Sequence, residues 1–196
     1  AMPAEVLSYF LKNSDRRIRL GFQVVLQCAP FLKGLKVSCV ITVDSQLYTS
    51  LGELLDGLGI EYHRLSESGG RCLVLFYRPK ELEAYLNRPE VRSLIREYGY
   101  SSMDLEEMLE RLAHRVEECA EQGIGFPHEI GAFLGYPAGD VIGFIRNRGK
   151  GALMTGYWKV YGNVPAAKMI FNRYDRAKDC AVNEFLTGKS IREIAL

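Results

Sequence analysis

Two short stretches of this chain hold side chains suited to chemistry. His128 and Glu129 follow Pro127. An imidazole titrates near neutrality, so His128 is a candidate ligand or acid–base group with Glu129 beside it. The pair also has a structural reading, in which Glu129 is a favourable anion near a helix N-terminus and His128 a partly exposed packing residue. Tyr157, Trp158, Lys159, Val160 and Tyr161 gather three aromatics around a lysine. In an extended segment successive side chains point to opposite faces, which puts Tyr157, Lys159 and Tyr161 on one face and Trp158 and Val160 on the other. The first face can cradle a planar or anionic ligand such as a porphyrin or a flavin; the alternative is a strand with Trp158 in the core and Lys159 in solvent. Cys28, two residues before Pro30, can be a reactive thiol, but nothing in the sequence sets a histidine or lysine beside it, and a buried cysteine is the competing reading.

Other patterns fall short. There is no HExxH, so a zincin site is excluded by pattern. Thr187 to Ser190 end like a phosphate-binding loop, yet Asn183 stands where its first glycine is needed, and a helix precedes it instead of a strand. His63 and His114 fall in an expected strand and a charged helix and receive no role. Residues 126–145 have the spacing of a helix-turn-helix, with Glu129, Ile130 and Gly131 opening one helix, Gly135 in the turn, and Val141 and Ile145 anchoring the second. A recognition helix needs polar or basic side chains near its N-terminus. Pro137, Ala138, Gly139 and Asp140 stand there instead, and basic residues arrive only at Arg146, Arg148 and Lys150. Gly131 and Gly143 lie inside expected helices, where each costs about 1 kcal/mol relative to alanine. Another helix or a ligand must therefore approach the backbone closely.

The elements that must position these residues follow from periodicity. Val6, Leu7, Phe10 and Leu11 predict a short helix over Pro3 to Leu11. The apolar run Phe22 to Leu26 suits helix or strand, and Cys28-Ala29-Pro30 is expected to interrupt it. Lys36 to Val43 is rich in β-branched residues and predicts a buried strand. Leu47, Leu51, Leu54, Leu55 and Leu58 mark one helical face before Gly57 and Gly59. Ile60 to Leu65 and Arg71 to Arg78 predict a hairpin closed by Ser66 to Gly70. Pro79 and Pro89 each open a helix, ending at Leu86 and Tyr98. Asp104 and Glu107 resemble a capping box for a helix reaching Gly123. Short helices Pro127 to Leu134 and Pro137 to Asn147, an extended Met154 to Tyr161, a long helix Val164 to Leu186 and a final turn complete the reading. The expected class is α+β: one domain over 1–196, with a small mixed sheet and hairpin in an α/β part of about 1–78, and a helical part of about 79–196.

Composition bounds the rest. The 196 residues carry 25 Lys and Arg against 24 Asp and Glu, a net charge of +1. A dedicated nucleic-acid binder usually shows a basic excess, so nucleic acid is not the expected partner. No apolar run approaches the ~18 residues of a membrane span, and no secretory signal pattern stands at the start. Ala1 ahead of Met2 looks like a cloning remnant, so Met2 is the expected natural start. Five widely spaced cysteines, an odd number with no CxxC pair, predict reduced thiols in the cytoplasm.

Phe126 to Ile145 (FPHEIGAFLGYPAGDVIGFI) followed by Gly156 to Gly162 (GYWKVYG) resembles a bacterial domain-of-unknown-function family, number three-seven-nine-three, found mainly in anaerobes. Cys28-Ala29-Pro30 with Lys33-Gly34-Leu35-Lys36 is similar to its N-terminal element, and Glu97-Tyr98-Gly99-Tyr100 to its central one. The resemblance covers nearly the whole chain. It implies a neighbourhood of flavodoxin-like and iron-uptake genes, hence iron, haem or redox metabolism and a possible flavodoxin-like partner. Relatives carry a cysteine cluster just before WKVYG; Ala152, Met154 and Tyr157 stand at those positions here, so no metal ligand is expected there. Together these readings predict a protein that binds a small ligand, a cofactor such as haem or flavin, or a partner protein, through His128, Glu129, Tyr136, Tyr157, Trp158, Lys159 and Tyr161, with Cys28 and Lys36 contributing. Aromatic stacking, with Lys159 pairing an anionic group, is the expected mode. The alternatives are an enzyme using a bound redox cofactor, with His128 or Tyr157 as proton donor, and the helix-turn-helix regulator.

Overall fold

The structure is a computed structural model that describes residues 4–195; Ala1, Met2, the Pro3 start expected for the opening helix, and Leu196 lie outside them. Helix α1 spans Ala4–Leu11 and α2 Arg16–Leu32. Asp15 caps α2 by accepting from the Arg17 amide at 2.9 Å. The helix does not break at Cys28-Ala29-Pro30 as expected. A proline inside a helix costs about 3 kcal/mol, while each fully buried Val, Leu or Phe returns about 1.5–3 kcal/mol. Val24, Val25, Phe31 and Leu32 are all 0% exposed, so burial decides the matter.

Strands β1 (Ser38–Asp44), β2 (Glu61–Ser68) and β3 (Arg71–Tyr77) form a sheet in the order β1-β3-β2, antiparallel in both pairings. The hairpin turn is tighter than expected: β2 runs on to Ser68 and only Gly69 and Gly70 turn, both at positive φ (57° and 74°). Pleating gives the sheet two buried faces. Cys39, Ile41, Val43, Cys72, Val74 and Phe76 point to α2, whereas Leu65, Leu75 and Tyr77 point to the opposite layer. Between β1 and β2 the chain makes a 3-10 turn (Ser45–Ser50) and α3 (Leu51–Leu55).

Helices α4 (Pro79–Leu86), α5 (Pro89–Arg96) and α6 (Leu105–Glu121) build the second layer, each of the first two opening on proline. Asp104 caps α6 by accepting from the Glu107 amide at 3.0 Å. Two short helices follow, α7 (Ile130–Phe133) and α8 (Ala138–Arg146). The expected helix from Pro127 is shortened because its first residues make tight turns, with Ile130 donating to the Pro127 carbonyl at 3.1 Å. Met154 to Tyr161 is not one strand but a miniature hairpin of β4 (Met154–Thr155) and β5 (Lys159–Val160). Helix α9 (Val164–Leu186) packs on α2, and α10 (Ile191–Ile194) closes the chain with a Ser190/Glu193 capping box. The architecture is α+β. Among the described residues no helix is long and apolar enough to cross a membrane.

Candidate functional site

The β4–β5 hairpin is fixed from below by one carboxylate. Asp140, in the first turn of α8 and 7% exposed, accepts from the Trp158 indole at 2.8 Å and from the amides of Tyr161 and Gly162 at 2.8 and 3.1 Å. Its charge is spread over three donors, which is how a buried carboxylate avoids a large desolvation cost. Trp158 is thereby held with its ring edge-on to Phe171 (centroids 4.6 Å apart) and tilted against Tyr136 at 5.2 Å. Gly143 lets α8 come this close: a Cβ there would sit 2.6 Å from Cβ and Cγ of Tyr161. Close backbone approach therefore explains this helix glycine, and at Gly131 an added Cβ would meet Val141 at 3.0 Å and Tyr136 at 3.1 Å.

The turn before α7 is fixed by a second carboxylate. Glu129 is 0% exposed; Arg115 donates to it from Nε at 2.8 Å and the Tyr100 hydroxyl at 3.2 Å. The hydrogen bond to Glu129 pushes the Arg115 guanidinium further toward its charged form. Burial, followed by Glu129, pushes the Tyr100 phenol far up, so it stays a donor. With Glu129 locked, His128 faces outward and stands edge-on to Phe144 at 5.2 Å.

Between these two fixed points lies a cavity of about 430 Å³. Tyr136, Phe144, Trp158 and Pro127 supply its apolar walls, the exposed Ile124 and Phe126 its rim, and Gly131, Val141, Thr155 and Gly156 its remaining surface. Its polar groups are few. His128 lies on one side; Lys159, whose ammonium donates to the Gly149 carbonyl at 2.7 Å and stands 5.7 Å from the Phe144 ring centroid, lies on another. A larger depression beside α1 is walled by that helix and the turn after it alone and has no aromatic enclosure beyond Tyr9.

Of the residues expected to form a site, His128, Tyr136, Trp158 and Lys159 line this cavity. Lys36 lies next to it, its ammonium 5.9 Å from the Tyr136 ring centroid. The others lie away from it or are engaged elsewhere. Glu129 is consumed by Arg115 and Tyr100 inside the protein. Tyr157 turns away to donate to Asp175 at 2.8 Å, and burial together with that carboxylate holds its phenol protonated, so it is no ready proton donor to the cavity. Tyr161 turns out to donate to the Lys150 carbonyl at 3.1 Å. Cys28 is 0% exposed, and burial pushes its thiol up, with Cys39 adding to the shift. The alternation expected over Tyr157 to Tyr161 holds for burial, yet the inward face contributes Trp158 to the cavity, because the hairpin bends that face toward α7 and α8 instead of sealing it in a sheet. Spacing alone missed Ile124, Phe126 and Phe144; the signal available was two large apolar residues, Ile124 and Phe126, standing between glycines and a proline with no helical partner.

The start of the second helix in the helix-turn-helix reading presents no polar side chain to a base. At the N-terminus of α8, Ala138 and Asp140 are buried, and the exposed Gly139 has no side chain to reach a base. Among the described residues, no three His, Cys, Asp or Glu side chains converge as a metal centre requires. Fold and site together define an α+β protein with an aromatic-walled cavity between a helical turn and a two-stranded hairpin. The chain belongs to the family described as Protein of unknown function (DUF3793), whose model matches residues 24–195; α1 and the first half of α2 precede that span. No curated protein and no solved structure matches the chain.

Proposed function

We propose that this protein binds a small, flat, largely apolar molecule carrying one acidic group in the cavity between α7, α8 and the β4–β5 hairpin. One observation carries the reading: an aromatic-walled concavity of about 430 Å³ whose one carboxylate, Asp140, is engaged by the Trp158 indole and two amides, leaving Lys159 and His128 to meet a ligand. Small-molecule sites typically have volumes of roughly 300–1,000 Å³ and a few polar groups set in an apolar lining. Rings stack on Trp158 and Phe144, and the two Lys159 protons not given to Gly149 meet the acid. A haem-like or flavin-like ligand is the concrete form, with His128 the available imidazole. A cytoplasmic setting and a single domain belong to the same proposal; the first is supported by five widely spaced cysteines, the second by packing of α9 from the C-terminal half onto α2 from the N-terminal half.

The test uses the protein's single tryptophan, Trp158, as reporter. Full-length protein is titrated with 8-anilinonaphthalene-1-sulfonate, haemin and flavin mononucleotide. Saturable one-to-one quenching by at least one of them, weakened severalfold in His128→Ala or Lys159→Met, is the expected result. Failure of all three to saturate up to about 1 mM, equivalent to only about −4 kcal/mol, overturns the proposal.

A further inference from the structure

Between Asp140 and Asp175 the chain carries Arg146, Arg148, Lys150, Lys159, Lys168 and Arg173 and no Asp or Glu, in a protein whose net charge is only +1. The turn after α8 brings part of this charge to the cavity. Its Gly149 amide donates to the Phe144 carbonyl at 2.9 Å, and its Gly149 carbonyl accepts from Lys159 at 2.7 Å. A Cβ at Gly149 would sit 3.0 Å from the Phe144 ring and 3.7 Å from Lys159 Nζ. Arg148 and Lys150, both exposed, thus flank a glycine that touches two side chains of the cavity wall. Among the described residues neither of them, nor Lys159, lies within ion-pair distance of a carboxylate. The acids nearest the cavity are already engaged, Asp140 by Trp158 and two amides and Glu129 by Arg115 and Tyr100.

The backbone supplies a second observation. Arg148 is the only non-glycine residue at positive φ among the described residues, at 51°. A side chain with a Cβ avoids that region, Gly or Asn sits there more easily, and residues held there against preference gather at binding sites. We propose that the acidic group of the cavity's ligand is a phosphate ester: the flat ring enters the cavity, and Arg148 and Lys150 join Lys159 on the phosphate. The proposal rests on the cavity reading above and narrows its ligand class. Lys159 alone balances a single carboxylate. A phosphate monoester carries about −1.5 to −2 charges at pH 7 on three acceptor oxygens, which suits three cations gathered without a counter-charge. The guanidinium fork pairs two of those oxygens at once. Of the two concrete ligand forms, the flavin-like one has this group when phosphorylated, and a porphyrin, whose acids are carboxylates, does not.

The test compares two probes with one ring system. Full-length protein is titrated at pH 7 and low salt with riboflavin and with flavin mononucleotide, which differ by the phosphate alone, and Trp158 emission is followed. Flavin mononucleotide is expected to bind at least about tenfold more tightly, with an advantage that shrinks as salt is raised. Arg148→Asn with Lys150→Gln is expected to bring the ratio close to one. Asn tolerates the positive φ, so the melting temperature of this variant shows whether the turn is intact. Equal affinity for the two flavins in the wild type, or a preference that survives the double substitution, overturns the proposal. If neither flavin saturates while 8-anilinonaphthalene-1-sulfonate or haemin does, the phosphate proposal falls and the cavity reading stands; if no probe saturates, both fall.

Discussion

Replacing Asp140 is expected to loosen the hairpin that carries Trp158. The carboxylate is 7% exposed and accepts three hydrogen bonds, one from the indole and two from consecutive amides at Tyr161 and Gly162. Hydrogen bonds to a charged partner contribute about 1.5–3 kcal/mol each, and a buried donor left alone costs a similar amount. Asp140→Ala strips all three donors. Water entering beside the half-exposed Tyr161 recovers part, so the expected loss is about 4 kcal/mol. Asp140→Asn keeps one oxygen for the two amides but turns an N–H toward the indole N–H, for an expected loss of about 2 kcal/mol. Urea unfolding followed by Trp158 emission measures both the stability and the local change, since no other tryptophan contributes. Loss of the indole hydrogen bond should also shift the native emission. If both variants stay within about 0.5 kcal/mol of wild type, the range of an ordinary surface substitution, with unchanged native emission, the reasoning about Asp140 is wrong.

Four further outcomes are expected. Arg115→Met leaves the fully buried Glu129 without its counter-charge and should cost about 3 kcal/mol, and adding Glu129→Leu should recover part of it, both read from urea midpoints. Gly143→Ala should lower the melting temperature, because overpacking against Tyr161 costs about 1–3 kcal/mol against a helix-propensity gain of about 1 kcal/mol. Gly139→Ala, in the same helix with open space around it, should raise the melting temperature instead. Glu184 is held at about 2, below the usual 4.5, by hydrogen bonds from Lys33, Cys180 and Lys189. A folded-state pKa lowered in this way contributes stability that is full above about 4.5 and fades as pH falls toward 2. Glu184→Gln should therefore flatten the stability profile in that window and leave its shape above pH 5 unchanged, which urea midpoints across the range would show.

Local chemistry made much of the fold legible. Pro79 and Pro89 mark two helix starts to the residue, the strand expected over Lys36 to Val43 forms from Ser38 to Asp44, and Val164 to Leu186 has the bounds expected of it. The misreadings share one cause. Pro30 stays helical, and Met154 to Tyr161 folds as a hairpin, because burial against distant segments outweighs local preference. The site shows the same division. His128, Tyr136, Trp158 and Lys159 were recognisable by residue type. That Glu129 is spent on Arg115, fourteen residues back, and that Asp140 reaches forward eighteen residues to Trp158, are long-range pairings that spacing does not encode. The glycines were informative in a different way. Gly143 announced a close approach, and the partner turned out to be Tyr161 of the same hairpin.

Energy transfer from Trp158 to bound 8-anilinonaphthalene-1-sulfonate, compared between wild type and Phe126→Asp, tests the ligand cavity most directly. Phe126 is 53% exposed at the rim, so its replacement leaves the core intact while setting a carboxylate in the path of an anionic, apolar probe. The account predicts efficient, saturable one-to-one transfer in the wild type and its loss in Phe126→Asp at unchanged stability. Absence of transfer in the wild type, or equal transfer in both proteins, would contradict it.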